Sequence, residues 1–273
     1  MSNIDAGDAA KVSGSKEEIR YEIIDRIAYV TINRPERRNA LNRSCRAALI
    51  EAFSDASINP DVWVVVVTGT GDRAFCAGGD LNENDQNARQ GKRHVVPMTG
   101  SSRSMHEVVM ETYKPTIAAL NGAAYAAGFE LALACDIRIA AEHVKLAVPE
   151  AKRGMGANFA SVLLPRLIPR ALAMEMLYTA EPITAAQALS WGLINRVVPA
   201  DKLKETVETF ARSLLKNAPL TLRRYKHMAV KGWGLPVASA LRLDAGPNPY
   251  LSADKEEGVR AFVEKREPRW QAR

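Results

Sequence analysis

The sequence predicts an α/β fold built on parallel strands and followed by a helical C-terminal segment. Three observations lead there. Val62 to Thr68 reads Val-Trp-Val-Val-Val-Val-Thr, a β-branched, apolar run of the kind found in strands covered on both faces. Residues 115–141 read strand, turn, helix, strand, and such a crossover requires parallel strands. From Leu172 onward the pattern is mainly helical.

The elements follow in order. Ile19 to Asp25 and Ile27 to Asn33 read as two strands joined by a tight turn. Asn42 is placed to cap a helix to about Ser57. After the Val62–Thr68 strand, a loop rich in Gly and Ala runs to Gly79. Residues 82–104 are polar and aperiodic, and read as a mobile or variable segment. Pro115 to Leu120 reads as a buried strand, broken by Asn121-Gly122. A helix starts near Ala127 or Gly128 and ends at Cys135-Asp136, and Asp136 to Ala141 returns as a strand. Thr184 caps a short helix that stops at Gly192. Asp201 to Lys216 places Leu203, Val207, Phe210 and Leu214 or Leu215 on one helical face. Ser252 caps a last helix to about Lys265. No internal repeat is visible. The organisation expected is a disordered tail over 1–17, a core over 18–200 and a helical segment over 201–273.

Composition sets the bounds. The chain has 273 residues, 47% hydrophobic and 25% charged, an ordinary globular mix with ample length for a core. No apolar run approaches the ~20 residues of a membrane helix. The N-terminus lacks the apolar stretch of a secretory signal. Three widely spread cysteines, Cys45, Cys76 and Cys135, suggest a reducing compartment, hence a cytoplasmic location. The net charge of +6 comes without a long Lys/Arg block, so nucleic acid is not an expected partner. The four histidines lack ligand spacing, and no metal site is expected. Neither a Gly-x-Ser-x-Gly elbow nor a Gly-rich nucleotide motif occurs.

The chemistry centres on two glutamates 20 residues apart. Glu130 closes the stretch Asn121 to Phe129, and Glu150 follows Leu146-Ala147-Val148-Pro149. Both stretches are apolar, so both carboxyls are candidates for burial. Two facing buried carboxyls do not both ionise cheaply, which divides them into an acid and a base. Two small-residue stretches accompany them: Ala74 to Leu81 after one strand, and Ala126-Ala127-Gly128 at a helix start. Small residues let the backbone approach a ligand, and a helix start carries free N–H groups. Two such groups aimed at one oxygen form an oxyanion hole. The plain alternatives are ordinary tight turns, an arginine-paired helix residue for Glu130 and a helix-start acid for Glu150.

The chain resembles the crotonase (enoyl-CoA hydratase/isomerase) family. The resemblance runs from about Ile19 to the end. It is carried by Ile32-Asn33-Arg34-Pro35 with Asn39-Ala40-Leu41, by Ala74 to Leu81, by Asn121 to Asp136, by Pro149-Glu150 and by Phe262 to Arg266. It implies a spiral of repeated ββα units with a helical C-terminal trimerisation or lid segment. It also implies a homotrimer or hexamer, and an acyl-CoA substrate with no permanently bound cofactor. By position, Gly79 and Ala127 resemble the two oxyanion donors, although the family more often has glycine at the latter. Glu130 resembles the water-holding acid and Glu150 the acid that exchanges a proton at the acyl α-carbon. Arg37, Arg38, Ala40, Ala77, Gly79, Asp80, Leu81, Phe262 and Lys265 fall at coenzyme A-contacting positions. Arginine suits phosphate through its planar fork of donors.

The activity this implies is hydration of a 2-enoyl-CoA to a 3-hydroxyacyl-CoA, or the reverse. An isomerase that uses Glu150 alone is the alternative within the family. An RNA-binding protein on the same fold is the alternative of another class. Met155 and Phe159 add bulk near the implied acyl channel. Cys76 reads as small-residue filler, and the basic run Leu220 to His227 as a solvated helix face.

Overall fold

The computed structural model describes residues 18–92 and 103–273. The expected tail over 1–17 lies outside the described residues, as does 93–102.

Two sheets form the core. The larger has the order β1-β2-β3-β5-β7-β10, with strands Ile19–Ile24 (β1), Ile27–Ile32 (β2), Val64–Gly69 (β3), Thr116–Leu120 (β5), Ile137–Ala141 (β7) and Arg196–Val198 (β10). Only β1 and β2 pair antiparallel in this sheet; the rest is parallel. The smaller sheet has the order β4-β6-β8-β9, with Ala74–Cys76 (β4), Ala123–Tyr125 (β6), Lys145–Ala147 (β8) and Ile183–Thr184 (β9). The pairs β3 and β4, β5 and β6, and β7 and β8 each place the first strand in the large sheet and the second in the small one. Helices follow each pair, so the chain winds as a spiral of ββα units. The small sheet is absent from the sequence reading, which gave residues 69–79 as a loop. Its strands are too short to show a period of two.

The helices are Arg43–Ile58 (α1), Leu81–Arg89 (α2), Met105–Met110 (α3), Ala127–Ala134 (α4), Asn158–Leu167 (α5), Arg170–Thr179 (α6), Ala185–Ser190 (α7), Leu203–Leu215 (α8), Pro219–Gly232 (α9), Val237–Ala240 (α10) and Ala253–Val263 (α11). The predicted caps are in place: Asn42 on α1, Thr184 on α7 and Ser252 on α11. The reading of 82–104 as aperiodic is corrected at both its ends. Asp80 accepts from the N–H groups of Asn82 and Glu83 and starts α2, and Ser104 starts α3 in a reciprocal cap with Glu107. In α2 none of the residues is buried, so no apolar stripe marked the helix.

Two asparagines lock the corners where the chain passes between sheets. Asn39 Nδ2 donates to the carbonyls of Thr70 and Ala74, at 3.1 and 2.7 Å. The Asn121 Oδ1 accepts from Gly69 N–H at 3.0 Å, while its Nδ2 donates to Gly71 O at 2.7 Å. Beside it, a Cβ on Gly122 would stand 2.5 Å from Ala74 N. The turn between β1 and β2 puts Asp25 and Arg26 at φ 48° and 66°, the two-residue hairpin geometry. Glycine is the usual occupant. Here the Arg26 guanidinium lies 4.6 Å over the Trp63 ring.

The last strand, β10, ends at Val198, and only helices follow it. Yet α8 buries Leu203, Val207 and Ala211 and packs on β3, β5 and β7, so it belongs to the core layers. The basic run in α9 is also corrected in part. Lys226 is buried, not solvated: its Nζ bonds Asp136 Oδ2 at 2.8 Å and Lys114 O at 3.0 Å. This ties α9 to the starts of β5 and β7. Lys226 is the buried member of this pair and the Asp136 side chain is 32% exposed, so removing the charged donor costs about 1–2 kcal/mol. Lys226→Ala is therefore expected to lower the unfolding free energy from urea titration by that much, and an unchanged value would show that the tie contributes nothing.

Candidate active site

The start of α4 packs directly on β4. A Cβ on Gly128 would lie 2.2 Å from Cys76 O, so only glycine fits. That contact brings the two small-residue stretches together: a Cβ on Gly78 would stand 2.7 Å from the Ala126 Cβ and 3.6 Å from Ala127 N. Gly79 bridges Leu41 as in a parallel sheet, with Leu41 N–H bonded to Gly78 O and Asp80 N–H to Leu41 O. In that pattern the N–H of Gly79 itself points away from Leu41. Ala127 is the first residue of α4, so its N–H has no helical acceptor.

The positive φ falls at Ala126, one residue before the position where the family more often has glycine. Ala127 occupies the helix, and its methyl is accommodated. Ala126, at φ 52° and ψ −131°, holds a conformation that favours glycine.

Glu130 is 7% exposed, on the first turn of α4. Its Oε1 accepts the N–H groups of Phe159 at 3.1 Å and Ala160 at 2.9 Å, at the start of α5. The arginine-paired alternative is not what the structure holds. Oε2 faces His106 Nε2 at 3.8 Å. Glu150 is 8% exposed and opens the 3₁₀ turn Pro149–Arg153 after β8. Its Oε2 is buried without a hydrogen-bond partner. Burial pushes its carboxyl up to about 7; Glu130 is near enough for its charge to add to the rise, while Arg153 opposes it.

His106 is the residue that sequence reasoning missed. Histidine spacing was searched for metal ligands only, whereas the signal was a histidine on a short apolar helix, between Met105 and Val108-Val109. It is buried and stacked on the Phe159 ring, with centroids 5.2 Å apart. Burial lowers its pKa against the opposing pull of Glu130. Phe159 is buried against this ring, whereas Met155 is exposed. Burial pushes the Cys76 thiol up to about 12, as suits packing filler.

The residues expected to hold coenzyme A are divided. Arg37 and Arg38 are exposed, on and just after the turn Pro35–Arg37, and Ala77 N–H bonds Arg38 O at 3.1 Å. Ala40 and Ala77 are half-buried and Leu81 is exposed, around the same bridge to Gly79. The Asp80 side chain is engaged elsewhere: it pairs with Arg34 Nη1 at 3.0 Å and caps α2. Phe262 is 85% exposed and so packs no core; it lies in the last turn of α11, which rests on the turn Pro249–Leu251, and Lys265 follows just beyond the helix end.

Comparison with known proteins gives the class. The α/β fold is shared by solved enoyl-CoA hydratases. One from Bacillus anthracis superposes with a TM-score of 0.88 at 32% identity, covering 94% of this chain and all of that one. The chain belongs to the enoyl-CoA hydratase/isomerase family, whose model matches residues 22–273. Among its relatives, the (E)-benzylidenesuccinyl-CoA hydratase of Thauera aromatica is 35% identical over 92% of this chain and 97% of its own. The carnitinyl-CoA dehydratase of Salmonella typhimurium is 35% identical over 90% and 95%. Among the described residues, no helix is long and apolar enough to cross a membrane.

Two outcomes follow. Ala126→Gly relieves a strained φ at the cost of chain entropy, and is expected to stabilise the protein by about 1 kcal/mol in chemical denaturation. A loss of stability would mean that Ala126 is unstrained. Glu150 is more basic folded than unfolded, so its contribution is intact below about pH 4.5 and is lost as pH rises towards 7. Glu150→Gln should therefore melt progressively higher than wild type between pH 4.5 and pH 8. A gap that stays constant across that range would contradict the burial of an ionisable Glu150.

Proposed function

We propose that the protein hydrates a 2-enoyl-CoA to a 3-hydroxyacyl-CoA, or runs the reverse dehydration, by two-glutamate acid–base catalysis with a backbone oxyanion hole. The observation that carries this reading is Glu150: a buried carboxyl with an unpartnered oxygen and a pKa near 7, within electrostatic reach of a second buried carboxyl. A group that holds and releases a proton near neutral pH is what exchange at an acyl α-carbon requires. The relatives named as a hydratase and a dehydratase support addition and loss of water on a thioester.

The N–H groups of Gly79 and Ala127 receive the thioester oxygen, each contributing about 2.7–4 kcal/mol as negative charge develops there. Glu130, with Oε1 already accepting two amides, has Oε2 left to take a proton from water as the water oxygen bonds to C3. The C2–C3 π electrons move to the thioester oxygen as an enolate. Glu150 then delivers its proton to C2, and the enolate collapses to the product thioester. A proton passing from Glu130 back to Glu150 restores both groups, so the net change is addition of one water.

Arg37 and Arg38 serve the coenzyme A phosphates, and Ala40, Ala77 and Leu81 flank the chain that links those phosphates to the thioester. Asp80 supports that site through Arg34 and the cap of α2, without contacting the ligand. Phe262 and Lys265 are presented to a neighbouring subunit of a trimer or hexamer. Exposed Val237, Leu241, Leu251 and Val263 on the same helical segment support that association.

A second reading, an isomerase using Glu150 alone, draws on the fact that Glu150 has a fully buried oxygen without a partner while Glu130 Oε1 is tied to α5. The test separates the two. Crotonyl-CoA, carnitinyl-CoA and benzylidenesuccinyl-CoA are offered to wild type, Glu130→Gln and Glu150→Gln, and water addition or loss is followed. Hydration predicts that each substitution lowers turnover by about 10²–10⁴-fold. Intact turnover in Glu150→Gln ends the assignment; a silent Glu130→Gln together with double-bond migration in a 3-enoyl-CoA moves it to isomerisation.

A further inference from the structure

Glu130 and Ala127 lie on one helical turn, and one side chain from outside that helix reaches both. His106 Nε2 is 3.2 Å from Ala127 O and 3.8 Å from Glu130 Oε2. A carbonyl oxygen only accepts, so Nε2 carries the hydrogen and donates it to Ala127 O. The same hydrogen faces the one Glu130 oxygen that α5 does not hold. The ring also stacks on Phe159, whose N–H holds the other Glu130 oxygen. The imidazole therefore closes a loop: α3 to the Ala127 carbonyl, α4 to α5 through Glu130, and α5 back to α3 through Phe159.

We propose that His106 is a positioning residue that sets two parts of the machinery at once, the amide at residue 127 and the free oxygen of Glu130. The proposal rests on the hydratase reading for its kinetic consequence, but not for its geometry. A nearly closed ring of contacts fixes the first turn of α4. Any tilt of that turn moves the Ala127 N–H and the Glu130 carboxyl together relative to a bound thioester. Misplacement on the order of 1 Å costs as much as 10²-fold in rate.

The imidazole stays neutral in this role. Its charged neighbours are Glu130 on α4, Arg46 on α1 and Glu107 on its own helix; Arg46 opposes a positive ring, and the two acids favour it. Arg46 stands close by: its Nη2 is 3.0 Å from where a Cβ on Gly79 would lie. Phe159, the element packed on the ring face, brings no charge. Burial outweighs the acids and holds the ring below its ordinary pKa.

The experiment has two independent arms. The first is ¹⁵N-histidine NMR of the whole protein at pH 7–8. A neutral His106 ring with its proton on Nε2 is expected; a neutral ring with its proton on Nδ1 overturns the proposal, whatever the enzyme hydrates. The second arm compares His106→Phe, which keeps the stack on Phe159 but has no donor, with His106→Gln, which restores an N–H. Thermal melts show that each variant is folded. Crotonyl-CoA hydration is expected to lose about 10- to 100-fold in kcat in His106→Phe with KM changed by less than about threefold, and to recover most of it in His106→Gln. An unchanged kcat in folded His106→Phe, a loss confined to KM, or a His106→Gln no better than His106→Phe overturns the role. If wild type shows no hydration, the hydratase reading fails by itself, and the NMR arm still decides which atom His106 offers to Ala127.

Discussion

The site depends on one close approach, the backbone of α4 against the backbone of β4 at Gly128 and Cys76. With 2.2 Å between a hypothetical Cβ and Cys76 O, any side chain at 128 would push helix and strand apart. Everything that makes the site follows from their touching. The first amide of α4 comes beside the Gly78-Gly79 stretch, and Glu130, on the same turn, is carried inside to meet the start of α5. The conformation of Ala126 is the local consequence, since the chain must turn sharply between β6 and α4 to make that approach.

Two carboxyls of the same chemical kind are differentiated by what surrounds them. Glu130 has backbone donors at the start of a helix, an arrangement that fixes its orientation. Glu150 has an oxygen facing no donor and pays in desolvation, which raises its pKa to about 7. One group is thereby held in place, and the other is able to exchange protons near neutrality. Burial is the larger cause of the Glu150 shift and the Glu130 charge a smaller one, so mutual repulsion is not what mainly sets Glu150 apart.

Outside the site, buried polar ties hold the spiral to the helical segment. Lys226 reaches 90 residues back to Asp136 and 112 to Lys114, and α8 covers the large sheet. The helices beyond are less anchored and present exposed apolar side chains, Phe262 among them. A helix end so poorly covered by its own chain suits a surface completed by another subunit.

The sequence alone determined the long elements and the two glutamates, because those signals are local. A β-branched run such as 62–68, a cap such as Asn42 or Ser252, and a small-residue stretch before Glu130 each act within a few residues. Tertiary structure decided what depends on distant partners. The two- and three-residue strands of the small sheet exist only because they pair with one another, and α2 exists where Asp80 caps a stretch with no apolar stripe. Lys226 looked like a surface cation until Asp136 met it. His106 carried no motif, since its meaning lies in atoms 21 and 24 residues further along the chain. Local chemistry names the groups; only packing says which of their atoms face each other.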